Sequence, residues 1–104
     1  AELTAALPDY GVGHYLLGRH LWMRGEHERA IPYLERAASM GLPTWELRAE
    51  NRRITGIARF RAGRLDGAAE AFESLARDDA LPEGLRVGAR DWLERCRWER
   101  GRGS

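Results

Sequence analysis

The chain repeats itself along its length, and this repetition restricts its fold more than any other feature. Gly18 and Gly56 lie 38 positions apart, and the same offset relates Gly25 to Gly63. Further pairs at this offset are Leu16 with Ile54, Trp22 with Phe60, Ala30 with Ala68 and Leu34 with Phe72, and a second step reaches Trp92, Trp98 and Gly101. A fixed period of roughly 20 to 50 residues is typical of proteins that stack similar units into an array.

Three Leu-Pro pairs mark where units begin. They are Leu7-Pro8, Leu42-Pro43 and Leu81-Pro82, followed by Asp, Thr and Glu respectively. Proline is tolerated in the first turn of a helix, where a missing N–H needs no partner, and an Asp or Thr side chain can accept hydrogen bonds from the free backbone N–H groups there. Each Leu-Pro pair therefore predicts a helix start, and Gly25 and Gly63 predict the turns between helices.

Between these breaks, apolar residues recur at intervals of three and four, which is the spacing of one helix face. Leu17 and Leu21 show this spacing in the first helix, and Ile31, Leu34 and Ala38 show it in the second. No segment has the strict alternation that a half-buried strand requires. The sequence therefore predicts an all-α fold with helices over residues 9–24, 27–40, 44–62, 65–77 and 83–99.

Length and composition fit one folded unit of 104 residues, with 43% hydrophobic and 32% charged residues. Seventeen basic residues against 16 acidic ones leave a net charge of +1, which is too small for sequence-independent binding to nucleic acid or anionic lipid. No apolar run approaches the roughly 20 residues that span a bilayer. We therefore expect no nucleic-acid partner, no membrane insertion and a cytoplasmic location, with a soluble domain of a larger protein as the alternative.

On these residues the chain resembles the tetratricopeptide repeat family, whose unit is a helix-turn-helix of about 34 residues. The family positions in the first copy are Leu17, Gly18, Leu21, Gly25, Ala30, Leu34 and Ala37. The second copy keeps Gly56, Gly63, Ala68 and Phe72. It departs at Thr55, Arg59 and Leu75, where the family has Leu, a large apolar residue and Ala. The 38-residue period also resembles Sel-type repeats, which share the same architecture.

The resemblance implies an α-α superhelix in a single domain, residues 1–104. Its parts are two helix-turn-helix repeats, residues 9–42 and 43–81, and a terminal half-repeat, residues 82–101. Such units bury little apolar surface alone, so stacking supplies the core and the last helix acts as a cap. We expect this cap to pack through Leu85, Trp92 and Leu93.

The resemblance also implies that the first helix of each repeat contributes to a concave groove. Aromatic and arginine side chains contribute most to the energy of protein interfaces. The predicted partner-binding residues are Tyr15, Arg19, Trp22, Arg53, Phe60, Asp91, Trp92 and Arg95. Of these we expect Tyr15, Arg19 and Arg53 to be exposed, since polar groups are rarely buried without partners.

Trp22, Phe60 and Trp98 occupy equivalent positions and allow two interpretations. In the first, they line the groove and contact a partner. In the second, their rings stack as a ladder that holds successive first helices together. The sequence favours neither interpretation over the other.

The histidine, cysteine and aspartate side chains that could act in catalysis or bind a metal are not spaced along the sequence as such sites require. His14, His20 and His27 are not placed at i and i+4 on one helix, as a helical metal site requires. Cys96 is the only cysteine, so it cannot form an internal disulfide, and we expect it to be a buried, unreactive thiol. Asp78-Asp79 lies at a predicted helix end rather than in a paired site. We therefore predict no enzymatic activity, no cofactor and no structural metal.

Two functions fit these observations. The first is a non-enzymatic scaffold or adaptor module that binds a peptide or helix of a partner protein in the groove of the first helices. The alternative is a structural or self-association domain, appended to a larger, membrane-associated protein, in which a second copy of the chain covers the open half-repeat. The first predicts a protein or peptide partner and the second predicts a homo-oligomer.

Overall fold

The computed structural model describes residues 11–102, and five α-helices account for most of them. In chain order these are α1 (Val12–Met23), α2 (His27–Met40), α3 (Trp45–Arg61), α4 (Leu65–Arg77) and α5 (Glu83–Arg102). Residues 11–102 contain no strand. None of these five helices combines the length and the apolar character that crossing a membrane requires. The all-α fold predicted from the sequence is confirmed.

The helix boundaries agree closely with those predicted. α2 and α4 have the predicted ends, and α3 is one residue shorter at each end. α5 continues to Arg102, beyond the predicted end at residue 99. α1 begins at Val12, and the predicted first residues, 9 and 10, lie outside the described part of the chain. The agreement is close because prolines, turn glycines and caps act on the backbone next to them.

Gly25 and Gly63 form the turns inside the two helix pairs. Their φ angles are +82° and +83°, a left-handed conformation that strains any residue with a Cβ. The Gly25 N–H donates to the Trp22 carbonyl at 2.9 Å, and the Gly63 N–H donates to the Phe60 carbonyl at 3.1 Å. The two turns therefore have the same geometry, 38 residues apart.

Leu42 and Leu81 anchor the loops that precede α3 and α5, and both are buried. Thr44 follows the first of these loops in an extended conformation, and its side-chain oxygen accepts a hydrogen bond from the Leu47 N–H at 3.2 Å. This is the N-cap predicted for the helix start. The remaining pair, Leu7-Pro8, lies outside the described residues.

Gly18 and Gly56 allow the two helices of each pair to approach closely. A Cβ added to Gly18 would lie 2.8 Å from Leu34 Cγ, and one added to Gly56 would lie 2.7 Å from Phe72 Cζ. Carbon atoms in contact normally lie about 3.5–4.0 Å apart, so neither position accepts a side chain without movement. Leu34 and Phe72 are fully buried. Each repeat thus places a glycine of its first helix against a large apolar side chain of its second.

Arg59 occupies the position where the first repeat has Leu21, and its contacts account for this departure. Its guanidinium donates to the Gly67 carbonyl at 3.0 Å and to the Glu35 carboxylate at 2.8 Å. The aliphatic part of the side chain passes over Gly67, where an added Cβ would lie 3.1 Å from Arg59 Cδ. Arginine therefore packs through its stem and forms hydrogen bonds through its head, replacing a large apolar residue.

Two apolar clusters form the core. The first contains Leu34 and Ile54 and joins α1, α2 and α3, while the second contains Phe72 and Leu93 and joins α3, α4 and α5. Trp22 packs against both clusters. Each helix also packs against the next along the chain. The core is therefore continuous through the stack, as in other repeat proteins where each unit contacts its neighbours.

α5 covers the second cluster with Ala89, Leu93 and Cys96, which are all buried, and with the half-buried Trp92. The expectation that Leu85 packs into the stack as well is wrong, since Leu85 is 36% exposed. It lies in the first turn of α5 and lines a cavity between α3, α4 and α5.

We expect replacement of Gly56 by alanine to destabilise the protein by about 1–3 kcal/mol, because the new methyl group overlaps the enclosed Phe72 ring. Gly88→Ala is the matched control, since a Cβ at Gly88 meets no atom within 4 Å and alanine favours a helix over glycine by about 0.5–1 kcal/mol. Thermal unfolding followed by circular dichroism should show opposite shifts. A Gly56→Ala protein as stable as the wild type would contradict the close packing.

Removing α5 should destabilise the remaining stack. A chain ending at Asp79 exposes Phe72 and its neighbours to water, at about 1.5–3 kcal/mol for each large apolar side chain. We expect this shortened chain to melt far below the full chain or to aggregate during gel filtration. A chain ending at Glu99 keeps the packing of Leu93 and Cys96 and serves as the control. Cooperative unfolding of the chain ending at Asp79, at an unchanged temperature, would show that α5 is dispensable.

Candidate protein-binding groove

Tyr15 lies in the first apolar cluster, between α1 and α3, and is only 6% exposed. The expectation that it is exposed in the groove is therefore wrong. Its aromatic ring gains more from burial than its hydroxyl group loses. Burial, and then the negative charge of Glu50, raises the pKa of Tyr15, while the positive charges of Arg19 and Arg53 oppose this rise. The phenol thus lies within electrostatic reach of three charged side chains from two helices.

Arg19 and Arg53 approach Tyr15 from α1 and α3. Arg53 Nε donates to Glu50 Oε1 at 2.6 Å, within a partly exposed ion pair. Such pairs contribute about 0–1 kcal/mol to stability, and this bond uses one of the five guanidinium N–H donors. Arg19 is exposed, as expected. The first part of the groove is therefore a polar group with two arginines and one carboxylate around a buried phenol.

Trp92 forms the second part of the groove, between α3 and α5. Its ring stacks on Phe72 with 5.4 Å between centroids and 9° between planes, and it meets the edge of Phe60 at 5.4 Å and 72°. The Arg95 guanidinium lies 4.8 Å from the Trp92 centroid. Offset-stacked and edge-to-face pairs each stabilise by about 0.5–1.5 kcal/mol beyond the area they bury. Trp92 is therefore held rigidly at the surface of the core.

A cavity of about 220 Å³ opens next to Arg53 and Trp92. Its lining residues come from α3, α4 and α5 and are Ala49, Arg53, Leu75, Gly84, Leu85, Gly88, Ala89 and Trp92. Gly84 and Gly88 lie one helical turn apart, and a Cβ added to either would meet no atom within 4 Å. The walls of the cavity are apolar apart from Arg53. The cavity therefore suits an apolar side chain of a ligand that has a polar group near Arg53, at the edge of the cavity.

Trp22, Phe60 and Trp98 occupy equivalent positions in the repeat, but their surroundings in the structure differ. Trp22 is half-buried and contacts both apolar clusters, so it helps to hold the repeats together. Phe60 contacts the Trp92 ring, and Trp98 is 60% exposed with the Arg102 guanidinium 4.7 Å from its centroid. The interpretation as a ladder of three rings is therefore wrong at Trp98, because no helix within residues 11–102 covers this end of α5.

Asp91 does not line the cavity beside Trp92, and its role in binding stays a prediction. It is exposed and lies two positions from the buried Leu93, which places it on the opposite side of α5. The structure brings the other predicted residues together in two sets: Tyr15, Arg19 and Arg53, and then Phe60, Trp92 and Arg95, with Trp22 behind them in the core.

Sequence reasoning missed two features, one at the groove and one between α2 and α3. Gly84 and Gly88 create the cavity, and their spacing of one turn inside a predicted helix was the available signal, since glycine disfavours helix interiors. Asn51 on α3 is almost fully buried, and its Nδ2 donates to the Leu34 carbonyl of α2 at 3.0 Å. Its Oδ1 has no hydrogen-bond partner within residues 11–102. Position 51 is equivalent to Gly13, so the repeat itself did not predict this polar contact.

The histidines and the cysteine lie outside the two sets of groove residues. His14 lies 6.4 Å from the Tyr33 ring, and His20 is exposed. Within residues 11–102, no three His, Cys, Asp or Glu side chains form a group that could hold a metal ion. Cys96 is fully buried, and burial raises the pKa of its thiol, with a smaller opposing effect of Arg100. A raised pKa keeps the thiol protonated and unreactive.

Comparison with known proteins gives one family. The sequence profile described as tetratricopeptide repeat matches residues 1–43 and, in a second and overlapping match, residues 15–84. Together the matches cover residues 1–84 of the 104-residue chain. No curated protein and no solved structure matches the chain.

We expect Cys96 to react with Ellman's reagent only after unfolding, because burial both excludes the reagent and raises the pKa of the thiol. Absorbance at 412 nm with and without denaturant measures this difference. Neither a chelator nor a reductant should change the melting temperature. Rapid reaction of the folded protein would contradict the burial of Cys96, and a shift of several degrees with chelator would reveal a metal site.

Proposed function

We propose that this chain, which belongs to the tetratricopeptide repeat family, is a non-enzymatic scaffold or adaptor module that holds a peptide or helix of a partner protein in the groove of α1, α3 and α5. Tetratricopeptide repeats mediate protein–protein interactions, and the family is typically not enzymatic. One observation carries the proposal. Arg19 and Arg53 both act electrostatically on the buried Tyr15, and Arg53 also lines an open apolar cavity.

The chemistry of the groove suggests the character of the partner segment. Guanidinium groups bind carboxylates through two parallel hydrogen bonds, and they also donate to backbone carbonyls. Arg19, Arg53 and Glu50 together carry one net positive charge. A segment with a carboxylate or accessible carbonyls, followed by a large apolar residue, would engage the arginines and the cavity together.

Trp92 and Arg95 would supply much of the affinity. A side chain that is already held in place loses little conformational entropy on binding, and Trp92 is held by Phe60 and Phe72. Arg95 covers the Trp92 ring and can move aside or remain as a second cationic contact. In this proposal the aromatic anchor sets the affinity, while the arginines set association rate and specificity.

A second candidate function is self-association. It is supported by apolar residues on the outer sides of α1 and α5, where Leu16, Met23 and Trp98 are among the most exposed large apolar side chains. These residues lie away from the cavity lining, so groove binding and self-association are compatible.

We expect the double substitution Arg19→Ala with Arg53→Ala to weaken capture of partner proteins, with the largest loss at low salt, where charge attraction is least screened. The melting temperature should change by a few degrees at most, since Arg19 is exposed and Arg53 forms a partly exposed ion pair. Glu50→Gln should have the opposite effect and strengthen capture of acidic segments. Quantitative mass spectrometry of pull-downs from the native source measures both effects.

The matched control is Arg36→Ala with Arg77→Ala. These arginines lie on α2 and α4, where Arg36 is exposed and Arg77 pairs with Glu73 one turn away at 3.5 Å. The control removes the same charge outside the groove and should leave capture unchanged. Recovery of the same partners by the groove variant and the wild type would overturn the proposal.

A further inference from the structure

α5 is attached to the stack by a small set of buried groups. Three of its 20 residues are buried, whereas α3 buries seven of 17. The buried residues of α5 are Ala89, Leu93 and Cys96. Trp92 adds its half-buried ring, which stacks on Phe72 and meets the edge of Phe60. A helix with few buried contacts at the end of a stack can detach while the other helices stay folded.

The polar contacts of α5 with the preceding segment are largely exposed. Arg86 pairs with Asp79 at 3.2 Å, and Arg100 pairs with Asp66 at 3.2 Å. The two carboxylate side chains are 92% and 88% exposed. Ion pairs exposed to this degree contribute little to stability, because water screens the charges and the side chains lose conformational freedom. The attachment of α5 therefore depends mainly on its apolar contacts.

The cavity beside Trp92 lies where α5 meets α3 and α4. Five of its eight lining residues belong to α5, and the others are Ala49 and Arg53 of α3 and Leu75 of α4. A side chain that enters the cavity therefore contacts three helices at once. Most of these contacts exist only while α5 is packed on the stack.

The size of the cavity fits one large apolar side chain. A dry apolar cavity of about 150 Å³ binds benzene. With a volume of about 220 Å³, the cavity beside Trp92 has room for a leucine side chain or an aromatic ring. An occupant of this size would add apolar contacts to a helix that has few of its own.

We propose that α5 is a cap whose attachment is controlled through this cavity. An apolar side chain in the cavity holds α5 on α3 and α4, and its departure leaves α5 able to detach by local unfolding. A ligand that binds only one of two states stabilises that state according to its concentration and its affinity. The proposal rests on the proposed function in one respect, since it takes this side chain to be that of the partner segment in the groove.

The coupling between the cavity and α5 acts in both directions. If the partner tightens the attachment of α5, a change that loosens α5 also lowers the affinity of the groove for the partner. This holds for a substitution that does not touch the groove. α5 is therefore a part of the binding site that the rest of the helix can regulate.

Two substitutions at Gly88 test the effect of the cavity on α5. Gly88→Leu places an apolar side chain at the cavity, and Gly88→Gln places a polar one of similar helix propensity. A Cβ at Gly88 meets no atom within 4 Å, so neither substitution is blocked. In hydrogen exchange followed by mass spectrometry, residues 83–102 of Gly88→Leu should exchange about threefold more slowly than those of Gly88→Gln. α2 should exchange equally in both proteins.

Ala49→Leu enters the same cavity from α3 and leaves the sequence of α5 unchanged. It should slow the exchange of α5 relative to the wild type, and a change in the helix propensity of α5 cannot account for that result. Cys96 gives a second readout, because its buried thiol becomes accessible when α5 detaches. Both Gly88→Leu and Ala49→Leu should require more urea before iodoacetamide labels Cys96.

Leu93→Ala tests the coupling in the reverse direction. Leu93 is buried but does not line the cavity, so its truncation loosens α5 without removing a wall of the groove. We expect faster exchange across residues 83–102 and about tenfold weaker capture of the partners that the wild type recovers from the native source. Ile31→Ala is the control, because it truncates a buried side chain of α2 in the first apolar cluster and should weaken capture less. Circular dichroism checks that each variant is folded at the temperature of the measurement.

Folded Gly88→Leu and Ala49→Leu proteins whose α5 exchanges no more slowly than in Gly88→Gln and the wild type would overturn the proposal. A Leu93→Ala protein with faster exchange in α5 and undiminished capture would also overturn it, and would leave the groove proposal intact. Slower exchange of α5 in both cavity variants, with undiminished capture by the Arg19→Ala and Arg53→Ala double variant, would support control of α5 through the cavity and reject the groove as the partner site.

Discussion

The whole stack depends on one contact that occurs in each helix pair, where a large apolar side chain of the second helix lies directly against a glycine of the first. The Leu34 side chain packs on Gly18, and the Phe72 ring packs on Gly56. Because these side chains are completely enclosed, a larger residue at either glycine moves the helices apart rather than displacing water. The contact thereby sets the spacing between helices, and with it the positions of the groove residues. At Glu94 the glycine is absent, and this type of pairing ends there.

The groove is a consequence of that spacing. α2 and α4 supply the large side chains, so α1, α3 and α5 each keep one side open. Trp92 belongs to the core and to the groove at once, because it stacks on Phe72 while the Arg95 guanidinium lies over its ring. Under the proposed function, a partner that contacts Trp92 would act on the same residue that attaches α5 to the stack, and binding would be coupled to the stability of the cap.

The ends of the stack follow from the same repetition. A unit that buries one side of its first helix against the preceding unit leaves that side uncovered on α1, where Leu16 and Leu17 are exposed. At the opposite end, Trp98 of α5 is exposed, and the Arg102 guanidinium lies over its ring.

The amino-acid sequence by itself determined the five helices, the turns at Gly25 and Gly63 and the repeat that relates them, because prolines, glycines and caps act on the adjacent backbone. The placement of Arg19 and Arg53 on one side of successive first helices was also predictable from the repeat. The burial of Tyr15, the exposure of Leu85 and the cavity between α3 and α5 were not. Each depends on how closely helices distant in sequence approach one another. A helical pattern shows which side of a helix is apolar, but only tertiary packing decides which neighbour, if any, covers it.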